Sequence, residues 1–170
     1  MHTLIEIVRA FDAERTDDRF TTRLERARQL QGNGIIRATE PGRGGVAARF
    51  ATAEVIAMVT VLAMTESGNS RAAVDAMLTD LHPTAHPGRG SAFAAEAEAI
   101  ARGEMRYMVA IVRNGPGVDW PSVEYHLTDR LKALAIVEHE GADPATLQVS
   151  LTPITPLAVP VLTRLAALDA

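Results

Sequence analysis

The stretch ATAEVIAMVTVLAM, residues 51–64, constrains this chain more than any other. At helical spacing its apolar side chains point in nearly every direction, so no face is left for water. Such a helix belongs deep in a core or at a subunit interface. The nearly unbroken run VIAMVTVLAM, residues 55–64, is about half the length of a membrane span. A chain of 170 residues, 47% apolar and 22% charged, can bury it as one domain or two small ones. The sequence contains no cysteine, which removes thiol chemistry, disulfide staples and most structural zinc sites. The amino terminus, MHTLIEIVRAFDAERTDD, lacks the basic flank and apolar run of a secretion signal. A cytoplasmic protein without a membrane segment is expected.

Shorter amphipathic segments precede that helix. TLIEIVRAFDAE, residues 3–14, carries Leu4, Ile7, Val8 and Phe11 on one helical stripe, and Thr3 with Glu6 fits a capping box. A second helix is expected from about Asp17 to Leu30, with Asp17 or Asp18 as its cap. Phe20, Leu24, Ala27 and Leu30 form its apolar face; Arg19, Thr22, Arg23 and Arg26 are expected on the opposite one. GIIRAT then reads as a short strand, PGRGG as a turn, and VAARF as a return strand, with Thr52 capping the long helix. A shorter helix follows from about Ser70.

HPTAHPGRGS, residues 82–91, has the prolines and glycines of a linker. Beyond it and one helix, SAFAAEAEAIARG, the hydrophobic period changes from helical to alternating. MRYMVAIVR, WPSVEYHLT, ALAIVEHEG and ATLQVSLTP each offer a strand between turn signals, and LAVPVLTRLAALDA closes the chain as a helix. The first of these strands, apolar at Met108, Ala110 and Val112 and again at Val109 and Ile111, is expected at the centre of its sheet. The fold class is therefore α+β: a helical domain over residues 1–81, then a small, mostly antiparallel α+β domain over residues 91–170.

The order of the front half, two helices, a hairpin and a long helix, resembles the winged helix-turn-helix module, in its MerR-type variant. TTRLERARQL stands in the recognition-helix place, PGRGGVAARF in that of the wing, and Phe50 where the family usually carries tyrosine. The likeness covers about residues 3–65. It departs from the family at RTDD, which is charged where a small-residue turn is usual, and in a back half that is no coiled coil. The resemblance implies a sequence-specific transcriptional regulator of the small bacterial or mobile-element kind, binding double-stranded DNA as a homodimer.

The charge distribution fits that implication. Net charge is −4, yet residues 15–50 hold eight arginines against four acidic residues, while residues 51–170 hold eight basic and fourteen acidic side chains. A helix in the major groove needs donors on one face and an apolar back, and Arg19, Thr22, Arg23 and Arg26 are expected to supply the donors. Arg15, Arg28 and Arg37 are assigned to phosphates, and Arg43, between glycines, to the backbone or minor groove. The competing reading keeps the shape and drops the nucleic acid: an adaptor or inhibitor that binds another protein. In both readings the C-terminal domain offers a dimer or partner surface.

Enzyme chemistry finds little support. GRGG lacks the lysine and Ser/Thr ending of a nucleotide-binding loop and precedes an expected strand. His82 and His86 precede prolines in the linker with no glutamate between them. His126 and His139, expected on neighbouring strands near Glu124, Glu138 and Glu140, have no nucleophile beside them. Trp120 and Tyr125 fit core or interface packing. No catalytic residue, cofactor or metal is assigned.

Overall fold

Thr3 begins the first helix, as its spacing to Glu6 requires. In the computed structural model, which describes residues 1–12, 17–67, 69, 74, 77, 93–114 and 122–169, the Thr3 hydroxyl accepts from the Glu6 N–H. The Glu6 carboxylate in turn accepts from the Thr3 N–H at 2.7 Å, closing the capping box on α1 (Leu4–Phe11). Ile7 and Val8 are buried, with Leu4 and Phe11 packed beside them. Helix α2 (Asp17–Gly32) buries Leu24, Ala27 and Leu30. The side chains of its expected caps, Asp17 and Asp18, lie outside the described residues.

The short strand expected at GIIRAT does not form. Gly34 takes φ 70°, which favours glycine, and the N–H groups of Ile35 and Ile36 both return to the Leu30 carbonyl. Ile36 thereby plugs the core at the end of α2, a position that an extended strand would deny it. The return strand shrinks to β2 (Arg49–Phe50), paired antiparallel with β1 (His2–Thr3). Only a bridge between Glu40 and Arg49 closes the intervening loop. Helix α3 (Thr52–Glu66) has Ala51 rather than Thr52 at its cap. Among the described residues no side chain caps its first turn; the Thr39 hydroxyl instead accepts from the N–H of Ala51 itself at 3.0 Å, holding the chain as it enters the helix.

After helix α4 (Ala94–Ala101), strands β3 (Arg106–Arg113), β4 (Ser122–Asp129) and β5 (Thr146–Pro153) form an antiparallel sheet in the order β4-β3-β5. The central place expected for β3 is the one it holds. The segment expected as a fourth strand, ALAIVEHEG, is instead within helix α5 (Arg130–Gly141). Asp129 caps it, accepting from the Lys132 N–H at 3.0 Å, and Ala133, Ile136 and Val137 fall at helical spacing on one face. Helix α6 (Ile154–Ala166) closes the fold, with Pro160 inside it.

The alternation of β3 decides the layers. Val109 and Ile111 meet α5 on one face, while Met108 and Ala110 join the main core on the other. That main core runs from Ile7 and Leu30 through Ile56 and Met64 to Ile154 and Leu165. The segments expected as separate domains thus share one apolar core, because α6 packs on both α1 and α3. The linker at 82–91 and most of the helix expected from Ser70 lie outside the described residues. Val55 to Leu62 and Met64 are buried within the single chain, so the apolar surface of α3 needs no second subunit to cover it. Among the described residues no helix is long and apolar enough to cross a membrane.

Candidate functional site

Helix α2 does not present its arginines as one face. Arg23 lies four and seven residues before Ala27 and Leu30, so it shares their inward side and is only 3% exposed. Its Nε and Nη2 donate to the two Glu66 oxygens, and its Nη1 donates to Asp12 Oδ1. The guanidinium carbon lies 4.8 Å from the centroid of the Phe11 ring. The hydrogen bonds to Glu66 chiefly, and its charge with that of Asp12, hold the Arg23 pKa above its ordinary value against the opposing effect of burial. The assignment of Arg23 to a base-reading surface is therefore corrected: its donors are spent joining α1, α2 and α3. The spacing 23–27–30 carried that signal, whereas Asp12 and Glu66 become its partners only through the tertiary fold.

The other expected positions point outward or to the side. Arg19 and Thr22 are exposed near the start of α2, and Arg28 is exposed farther along. Arg26 is half-buried, with its Nη1 3.4 Å from Gln29 Oε1. Exposed Glu25 lies on the same outer side as Thr22 and Gln29. Arg37 is exposed, and its backbone N–H donates to Glu54 at 3.3 Å. Arg15 lies outside the described residues.

Arg43 sits near the tip of the exposed loop between Glu40 and Arg49. The Val46 N–H donates to the Arg43 carbonyl at 2.9 Å, and Gly44 and Gly45 take φ 57° and 89°. A Cβ at Gly42 would come within 2.6 Å of the Val46 carbonyl oxygen, so this turn admits only glycine there without shifting. The loop leads into β2 rather than into a helix, unlike a phosphate-binding nucleotide loop.

The arginines divide into two populations. Arg102, Arg106 and Arg113 are spent on carboxylates: Glu104; Glu96; and Glu124 with Glu140, respectively. The exposed guanidinium groups of Arg19, Arg28, Arg37 and Arg43 have no such partner among the described residues, and neither do those of Arg9, Arg49, Arg130 and Arg164. Beside the start of α2 lies an open cleft of about 1090 Å³, walled by the ends of α1 and α3, by β5 and by α6.

The expected placing of His126 and His139 on neighbouring strands does not hold. His126 is on β4, 3.1 Å from Glu124, while His139 is on α5 rather than on the expected neighbouring strand. Tyr125 donates its hydroxyl to the Met77 carbonyl at 3.3 Å. His82, His86 and Trp120 lie outside the described residues. Among the described residues no group of three or more His, Asp or Glu side chains is arranged to hold a metal. The architecture is thus mixed α+β with two small antiparallel sheets, one of them the two-strand pair at the amino terminus. No protein-family model matches the sequence, and comparison with curated proteins finds no match.

Proposed function

We propose that the protein binds double-stranded DNA through α2 and the 40–49 loop, as a sequence-specific transcriptional regulator of winged helix-turn-helix type. The observation that carries this reading is a group of exposed cations on α2 and the segment that follows it, Arg19, Arg28, Arg37 and Arg43, whose guanidinium groups have no carboxylate partner among the described residues. Unpaired arginines attract phosphates without first breaking an ion pair, and releasing the counterions of DNA adds to affinity. In this reading Arg19, Thr22 and Arg26 approach base edges from one flank of α2, and Arg28 and Arg37 meet phosphates. Arg43 reaches the backbone from a loop that takes the wing's part. Arg23 acts as a positioning residue, fixing α2 against its supports.

Fluorescence anisotropy with DNA fragments, including the region upstream of the gene, tests the proposal. Replacing Arg19 and Arg28 together by alanine should weaken binding at least tenfold and leave the melting curve nearly unchanged. Equal affinity for the variant and the wild type would refute it.

A single recognition helix reads few base pairs, so a two-fold pair of chains on paired half-sites is part of the proposal. Leu131 and Leu134 on α5 and Leu147 on β5 are exposed on two elements that pack together, and they offer an apolar contact for a second copy. The same leucines favour the second reading, an adaptor that binds another protein and no DNA. Light scattering on the wild type and on Leu131→Glu/Leu134→Glu separates the two. A dimer lost in the variant supports self-association, and a monomer in both supports the adaptor.

A further inference from the structure

The cleft beside α2 combines a rigid apolar wall with unspent positive charge, and the geometry points to a binding site for a small amphipathic anion: a flat apolar body bearing one carboxylate. The wall is unusual in composition. Pro156 and Pro160 are four residues apart on one side of α6, Pro153 precedes the helix at the end of β5, and all three line the cleft. Proline is disfavoured inside a helix, and at Pro160 it leaves the Pro156 carbonyl without its helical N–H donor. The sequence thus gives up regular helix where it gains a stiff, flat surface. Such a surface loses little side-chain entropy when a ligand settles on it. Phe11 and Leu157 extend it.

The charges indicate what the head group must be. Among the described residues, Arg19, Arg23 and Arg164 line the cleft against the carboxylate of Glu66. Both Glu66 oxygens are engaged by Arg23, whose remaining partner is Asp12. Arg164 commits one donor, Nη1, to the Ala10 carbonyl at 2.8 Å, leaving others of its five. Arg19 has no partner among the described residues. A carboxylate held by Arg19 and Arg164 completes their hydrogen bonding, while an uncharged head leaves the cations as they were. At about 1090 Å³, open to solvent on one side, the cleft is large enough for a bicyclic ligand.

The site shares Arg19 with the proposed DNA surface, but its argument does not rest on DNA binding and its test uses no DNA. Isothermal titration calorimetry on the full chain at neutral pH compares 2-naphthoate with its uncharged counterpart, 2-naphthalenemethanol. The acid should bind saturably at one site, at least tenfold more tightly than the alcohol. Arg19→Ala should weaken the acid at least threefold and leave the alcohol within twofold, and Arg19→Ala/Arg164→Ala should weaken the acid at least tenfold. Leu157→Trp, which fills the cleft, should weaken both compounds. Arg19 is exposed and has no partner among the described residues, so its single variant keeps the test valid even if the Arg164 change disturbs folding. Absence of saturable binding at millimolar acid, equal affinity for acid and alcohol, or an Arg19→Ala protein indistinguishable from wild type would each overturn the assignment.

Discussion

Arg23→Ala should be a folding mutation and only secondarily a DNA-binding one. Among the described residues, the guanidinium it removes is the only hydrogen-bonding partner of Asp12 Oδ1, and Asp12 has a side chain 3% exposed, with Oδ2 already unpaired. Leaving a buried carboxylate without its counter-charge costs about 3–5 kcal/mol. The Glu66 side chain is 37% exposed, so water compensates it and its share is discounted to about 0–1 kcal/mol. The lost contact over the Phe11 ring adds about 1 kcal/mol. The sum, about 5 kcal/mol, is a large part of the stability of a domain this size and predicts a melting temperature lower by about 10–20 °C. Calorimetric and circular-dichroism melts measure it. Asp12→Ala made alone should cost less, because Arg23 keeps Glu66; the double change should be less harmful than the sum of the singles by about 2–3 kcal/mol. At a temperature where Arg23→Ala is still folded, its DNA affinity should fall within about threefold of wild type. A variant that melts within about 3 °C of wild type, yet no longer binds DNA, would refute the buried triad and return Arg23 to the outer face.

Arg43→Ala should weaken DNA binding alike on all sequences and lower the slope of log affinity against log salt by about one unit, read by anisotropy from low to moderate salt. Gly42→Ala should reduce DNA affinity with little change in melting, since the new Cβ must displace the Val46 carbonyl of a loop that is solvent-exposed. Met58→Ala, emptying a fully buried site on α3, should cost about 2–5 kcal/mol in urea titrations. The hydrogen bond from the Thr3 backbone holds the Glu6 carboxyl below its ordinary value of 4.5. Its contribution to stability is therefore fully present above that value and is lost as pH falls through the lower folded one. Glu6→Gln should be less stable than wild type by about 0.5–1 kcal/mol at neutral pH, and the gap should narrow in acid.

What the sequence determined by itself was local. Thr3 and Glu6 specify the start of α1 because a capping box needs only residues three apart. The period-two runs specify β3, β4 and β5, and the doubly apolar run in β3 specifies its central place, because a strand buried on both faces has no room for polar positions. The all-round apolar character of α3 required burial but not the identity of its cover. The tertiary structure decided that, bringing α6 back onto α1 and α3 and merging two expected cores into one. It also overrode local signals. ALAIVEHEG contains a short apolar run that strand and helix patterns both accommodate, and the Asp129 cap with packing on β3 and β5 resolved it as helix. GIIRAT yielded its strand because Ile36 was needed in the core. At the candidate site, exposed Arg19, Arg28, Arg37 and Arg43 were legible as polar positions on a helix face and in turns. The inward side of Arg23 was legible in its spacing to Ala27 and Leu30, but its partners were not, because the carboxylates arrive from positions 12 and 66 and neither separation has a signature along the chain. The cleft was equally invisible, since its arginines come from α2 and α6 and meet its proline wall only after the chain has folded. A cap is a property of neighbours in sequence; a counter-ion or a wall is a property of neighbours in space.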